Sequence, residues 1–336
     1  MGSKAILRIL LALIAFGAVV ERCDAASVLL NLFSGMQTWS EYSGELLYDF
    51  ENGATAGMGN RRIDVGDVLI GSFRITRTTQ GANTRPLVTS GVNEFTGVYA
   101  IQAVTKTAGG DGYTWTFAPL ESAQINAISA AYTDAVVAAH LGTTSNIGSA
   151  LGGFQTGSVM AFYEDPARDY GRNSVPANPG PPGGTNADGR IGTAINGTSV
   201  FQLGFTGLQG EGWTIVAADD AIGALKGIAY PGSGGSMSLG LNVTQRNPNL
   251  AFRRDVDSAV APGNSVDASA TGSLVGIQNV TTPFDGYDQL SLTVDAFYAP
   301  SVGAEAPEPA TILVWLGLLG LGAVTTWWRK RKTLTK

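Results

Sequence analysis

Carboxylates are the side chains whose number and spacing in this chain could support chemistry. Glu164-Asp165, Asp219-Asp220 and Asp255-x-Asp257 could each contribute to a pair. Two carboxylates at a set separation suffice for acid–base hydrolysis of a glycosidic bond. Spacing in sequence does not fix a distance across a sheet, so these are components without an assembled site. The rest of the catalytic repertoire is thin. One His and one Cys exclude a Cys/His zinc cluster and a disulfide framework, and leave almost no room for a triad. His140 closes an Ala-rich segment, where a cation beside a helix C-terminus is simply favourable. Nucleophile-elbow, Walker, His-Glu-x-x-His and Gly-x-Gly-x-x-Gly patterns are absent. The chain does not read as an enzyme.

Two other chemistries have candidate residues. Asn186-Ala-Asp188-Gly189 matches the middle of an EF-hand-type loop, with oxygen ligands at positions 3 and 5 and Gly at 6. Positions 1 and 12 would be Gly184 and Ile195, so the full loop fails. Asp285-Gly-Tyr-Asp288 and Asp219-Asp220 could equally ligate calcium at one end of a β-fold. Asx-Gly pairs are plain turns more often than metal sites, and the turn is the preferred reading. Beyond this calcium option no cofactor is expected. Sugar recognition would need aromatic rings in solvent. Trp115 alternates with Thr114 and Thr116 on the face of Tyr113 and Phe117, a core pattern. Trp39 and Trp213 are the candidates for exposed, glycan-stacking rings. The triplets at Asn196, Asn242 and Asn279 match the N-glycosylation pattern by chance.

The elements that must position these groups are mostly short strands between turn residues. The stretch 67–77 alternates from Ser72, with Phe73 and Ile75 on one face and Arg74, Thr76 and Arg77 off it. In 97–105, Val98, Ala100, Gln102 and Val104 share one face, and Tyr99, Ile101 and Ala103 the other. Gly109-Gly110-Asp111-Gly112 is a turn signal, followed by a strictly alternating strand at 113–117. Further strands are expected at 158–163, 199–204, 212–217, 236–243 and 289–298. This pattern predicts a mainly β fold, an antiparallel sandwich or jelly roll. One inserted helix is expected over 120–141, from Ile125, Ile128, Tyr132, Val136 and Ala139 at helical steps, with Gly142 as its stop. The Pro- and Gly-rich stretch 174–192 reads as a long loop within one β-rich domain spanning 26–298, and 299–306 as a short stalk. No fixed-period repeat is present.

Both ends read as addresses. Lys4 and Arg8 precede an apolar run at 9–20, and Cys23-Asp24-Ala25 places small residues for cleavage between Ala25 and Ala26. The segment 1–25 is therefore a signal peptide for Sec export and signal peptidase, too short in its apolar part to span a bilayer. Arg22 before Cys23 argues against a lipoprotein site. Once cleaved, the chain would carry no cysteine. At the other end, Pro307-Glu308-Pro309 precedes an apolar stretch at 310–328, then Arg329, Lys330, Arg331 and Lys332. A helix over 310–328 would be about 28 Å long, against a bilayer core of roughly 30 Å. Trp327 and Trp328 suit the interface, and the basic cluster suits the cytoplasmic side.

A Pro-Glu-Pro triplet, one hydrophobic helix and a terminal basic cluster, joined to an N-terminal signal, resembles the PEP-CTERM sorting signal of Gram-negative-type bacteria. The resemblance covers 307–332. It implies that this segment is a substrate tag for exosortase, a membrane-embedded cysteine transpeptidase-like enzyme that cleaves at Pro-Glu-Pro. It also implies a cell that builds an exopolysaccharide envelope or biofilm, with the protein passed from an inner-membrane-anchored precursor to the surface or matrix.

Charge agrees with an exterior location. Residues 26–306 carry 13 Lys and Arg against 24 Asp and Glu, a net charge near −11, whereas the whole chain stands at −6. Such a field disfavours nucleic acid. The sequence is thus expected to encode a structural or adhesive protein of an extracellular polysaccharide matrix, with a carbohydrate-binding module as the second reading and a glycan-active enzyme as the third.

Overall fold

The computed structural model describes residues 33–48, 63–87, 93–110, 112–131, 147–170, 187–218, 235–279 and 285–298. Segments 1–25, 299–306 and 307–332, with His140 and Asp219-Asp220, lie outside them. Contacts divide the chain after Tyr298, and everything described belongs to the first unit, Met1–Tyr298.

The described chain is mainly β, in one large antiparallel sheet. Each of the eight expected strands is present, most of them lengthened. They are β2 (Val68–Gln80), β4 (Glu94–Gly109), β5 (Gly112–Ala118), β6 (Ser158–Asp165), β7 (Thr198–Gly204), β8 (Gly212–Ala217), β9 (Gly235–Arg246) and β14 (Asp285–Tyr298). Two long strands carry no clear alternation, β1 (Ser34–Tyr48) and β13 (Ala268–Asn279). Their core-facing positions include Gln37, Ala268 and Ala270, all buried, so the hydrophobic period is faint. Short strands β3 (Asn83–Pro86), β10 (Leu250–Phe252), β11 (Val256–Asp257) and β12 (Ser265–Val266) complete the set.

Instead of two separate sheets, the pairing path returns on itself. It runs β2-β1-β14-β13-β9-β7-β6-β4, and β4 pairs back onto β2. β4 and β9 are long enough to fork. Residues 94–99 of β4 pair with β6, and 102–109 with β5. On β9, 236–240 pair with β8 and 242–246 with β7. The wall between β4 and β9 is therefore β6–β7 at one end and β5–β8 at the other. A ring of eight strands is just wide enough for side chains to fill.

They do fill it. Phe33, Trp39, Phe95, Phe162 and Phe201 converge with ring centroids 4.3 to 6.2 Å apart, and Phe162 stacks on Phe201 at 14°. Phe252 on β10 closes the same cluster, 5.1 Å from Phe201. Further along, Phe73, Ile75, Met160, Leu239, Leu290 and Leu292 leave a void of only about 10 Å³, at the lower limit for one water. Two glycines make room for rings. A Cβ on Gly71 would sit 2.3 Å from the Tyr99 ring, and one on Gly97 would sit 2.2 Å from Phe73. The paired off-face residues Thr76 and Arg77 mark a real irregularity: the β1–β2 register slips there, returning Thr78 to a buried position.

Three helices are described, not one. α1 (Ser122–Ala131) occupies the first half of the expected 120–141 helix, whose remainder lies outside the described residues. α2 (Ile147–Gly152) and α3 (Ala187–Ile195) were not expected. α3 begins inside the stretch read as a 174–192 loop; its Gly and Asp residues masked the buried pair Ile191 and Ala194. It packs on β2, β4 and β6, with α2 against it and α1 against α2. The Thr96 hydroxyl donates to the Ala194 carbonyl at 2.7 Å. This cover explains why the outer-face residues Val98, Ala100, Val159 and Ala161 are buried too.

A carboxylate pins one barrel end. Glu211 accepts from the N–H of Thr206, Gly207 and Leu208, the Thr206 hydroxyl and the Asn242 amide, at 2.6 to 3.1 Å. Burial pushes its carboxyl up, but these donors, the Thr206 hydroxyl and Asn242 foremost, outweigh it and hold the group below its ordinary 4.5. A depressed carboxyl contributes stability that is complete above the ordinary value and lost as pH falls through the lowered one. Glu211→Gln should therefore lower Tm at neutral pH, and its gap to wild type should close as pH drops below 4.5. A gap that does not change with pH would show that the charge is irrelevant. Separately, Trp39→Ala should cost about 3–5 kcal/mol in urea unfolding. Trp39→Phe should cost much less, because the indole N–H has no partner to lose.

Candidate functional site

Trp39 and Trp213 do not present rings to solvent. Both are fully buried, Trp39 among the barrel phenylalanines and Trp213 against Tyr99 at 5.4 Å. The expectation of exposed stacking rings is corrected: the alternation in β1 and β8 turns Trp39 and Trp213 inward, and their neighbours Thr38 and Thr214 lie on the opposite face. Trp115 is buried as expected and donates to the Ile63 carbonyl at 2.9 Å. Of the calcium candidates, Asn186 lies outside the described residues, and Asp188 falls in the first turn of α3. Neither a metal loop nor an Asx-Gly turn forms at Asp188-Gly189. Asp285 and Asp288 lie on β14, opposite Asn279 and Leu274 of β13. The Asn242 side chain is buried and committed to Glu211, which removes it as a glycan acceptor.

Carboxylates do assemble, partly from residues not singled out in the sequence. β6 ends in Glu164-Asp165, and a tight turn through Pro166, Ala167 and Arg168 brings Asp169 back. Asp165 is 1% exposed; one oxygen accepts from the Ala167 N–H at 2.7 Å, and the other has no partner. Burial pushes its carboxyl up, and the nearby Asp169 carboxylate adds to the rise, against the backbone N–H groups of Ala167 and Asp169. Glu164 is also raised by burial, with the Asn93 amide, 2.8 Å away, opposing. Asn196, just after α3, places its amide nitrogen 3.1 and 3.2 Å from the two Asp169 oxygens. Arg168 takes φ +55°, the left-handed region that non-glycine residues seldom occupy.

The far end of this turn is anchored. Glu94 accepts from Arg74 at 2.8 Å and from the Tyr170 N–H at 3.0 Å. The Tyr170 hydroxyl donates to the Ser72 carbonyl at 2.8 Å. The segment 165–170 is thus fixed at both ends on β6, β4 and β2.

A second pair sits on the outer face of β14. Asp295 is 4% exposed with one oxygen unpartnered, and its carboxyl is raised first by burial and then by the adjacent Asp255. Arg253 opposes the rise, with its guanidinium carbon 4.2 Å above the Phe297 ring. Beside the β11–β12 hairpin lies an open groove of about 440 Å³, lined by Leu208, Gln209, Arg254, Gly263, Asn264 and Ser265. Arg254 donates to the Ser265 and Gln209 carbonyls at 2.7 and 2.6 Å, so the guanidinium is held in the groove wall.

Carboxylates held this close, out of solvent, can share a proton or bind a cation. Asp169, Asn196 and Asp295 were missed in the sequence because each lies on an ordinary strand or turn. The Asp-x-x-x-Asp spacing about Pro166 was the one available signal. Among the described residues no three of His, Cys, Asp and Glu converge as a metal cluster, and no helix is long and apolar enough to cross a membrane. No protein-family model matches the chain, and comparison with curated proteins and with solved structures returns no significant match.

Proposed function

We propose that the chain is an exported structural or adhesive protein of a bacterial extracellular polysaccharide matrix, carried by Sec, released from its signal at Ala25–Ala26 and sorted by exosortase at Pro307-Glu308-Pro309. The observation that carries this is the sequence of the tail: the Pro-Glu-Pro triplet, then the apolar 310–328 stretch that would anchor the precursor, and Arg329 to Lys332 behind it. The described unit supports it in character. A barrel whose opposed walls close on a layer of rings, as in a jelly-roll sandwich, offers its outside as working surface. The acidic balance of 26–306 suits a hydrated, cation-containing exterior.

A second reading, a carbohydrate-binding module, is favoured by the Arg254 groove. Its amides, hydroxyl and guanidinium match sugar hydroxyls and carboxylates, although no ring lines it.

In an exosortase-bearing host, the C-terminal peptide of the surface form should end near Pro307 to Pro309 by mass spectrometry. Recovery only from membranes, with Arg329 to Lys336 intact, would overturn the sorting reading. For the groove, Arg254→Ala should abolish retardation of the protein in gels containing the host's exopolysaccharide while leaving Tm within a few degrees. Unchanged retardation would remove the groove from consideration.

A further inference from the structure

We propose that Asp165, Asp169 and Asn196 form a binding site for a divalent cation of the calcium type on the outer face of the barrel. The export reading is not needed for this.

The case begins with an electrostatic imbalance. The Asp165 carboxylate is almost wholly removed from water, yet one oxygen has no donor. A buried carboxylate oxygen without a partner forfeits its hydration and recovers nothing. The Asp169 carboxylate is brought within reach of it, which adds repulsion. Among the described side chains of this turn, Arg168 is the one cation, and the turn keeps it away. Arg168 adopts its left-handed conformation between the two aspartates, forms no ion pair with either, and buries an Nε–H that also has no partner. Arg74, on β2, is already engaged by Glu94. The backbone accepts strain that brings two anions together and holds the guanidinium apart, an arrangement that suits a small mobile cation.

The donors have the right chemistry and mounting. Carboxylate oxygens and an amide oxygen are hard ligands of the kind Ca²⁺ takes, with water completing six to eight positions. Asn196 presents its amide nitrogen to both oxygens of Asp169. Rotation of the amide by half a turn offers its oxygen instead. Asp165 ends a strand, and Asn196 follows a helix bonded to β4 through Thr96. Asn196 is exposed and Asp169 half-exposed, which leaves an entry path. With only two charges in the set, affinity belongs in the range of extracellular calcium modules, a Kd of roughly 0.1–1 mM. The Asp255–Asp295 pair is the weaker candidate, because Arg253 already offsets its charge.

The test uses the full-length protein stripped with EDTA. Calorimetric titration with CaCl2 at pH 7 should show a saturable event in that affinity range, and Tm should rise with calcium. Asp169→Asn should weaken the event at least tenfold, while its Tm in EDTA stays level or rises because a like charge is gone. Asp255→Asn should bind as wild type does. Because Asp165→Asn disturbs a buried position, Asp169→Asn, half-exposed, is the deciding variant. Equal calcium responses in wild type and Asp169→Asn would overturn the proposal. So would a wild-type Tm insensitive to about 10 mM calcium that instead rises as pH falls from 7 to 5, since the pair would then be holding a proton.

Discussion

Strand β2 is paired on both sides along the same stretch: 68–74 run beside β1 at one edge and β4 at the other. That double pairing closes the ring. β1 belongs to a run that continues through β14, β13 and β9, and β4 to one that continues through β6 and β7. The two runs already join where β7 pairs with β9, and the seam closes them into one ring. Without it both β2 and β4 would present a long free edge, and long hydrophobic edges invite pairing with other chains. With it, the four-residue β3 and the three-residue β10 are short strands at the margin.

Closure dictates where aromatic residues go. Inward positions from β1, β2, β4, β6 and β7, with Phe33 just before β1 and Phe252 on β10, are forced to meet, so seven large rings share one interior in edge-to-face, tilted or stacked pairs. The small residues Gly71, Gly97, Ala268 and Ala270 are the counterpart of that crowding. A filled interior moves any binding function outward, to helices, turns and the β11–β12 hairpin. The paired carboxylates lie outside the interior too, at the end of β6, in the turn after it and on the outer face of β14.

The carboxylates divide by how well they are served. Glu211 gathers five donors and is held ionised as part of the frame. Asp165 and Asp295 are more deeply buried yet have fewer donors, each with a second carboxylate beside it. The same residue type therefore stabilises one end of the barrel and leaves the 165–170 turn electrostatically incomplete. The difference lies in the donors, five of which converge on Glu211 around the turn at Gly207, while on Asp165 the backbone N–H groups leave one oxygen without a partner.

The sequence by itself determined the strands with hydrophobic alternation, the hairpin at Gly110-Asp111, the core role of Trp115 and the terminal apolar runs on which the proposed address segments rest. Each is written in local order, as period two, a turn pair or an apolar run, and needs no distant partner to be read. Only tertiary structure decided that the strands close into one ring, that Trp39 and Trp213 face inward, and that β1 and β13 are strands at all. Those depend on which residues stand opposite one another across the barrel. At 37, 268 and 270 the core-facing position holds a polar or small residue, so no hydrophobic period marks it in the sequence. The meeting of Asp165, Asp169 and Asn196 was beyond local reading for the same reason. It requires a left-handed Arg168 and a helix delivered from 27 residues further along the chain, between Asp169 and Asn196.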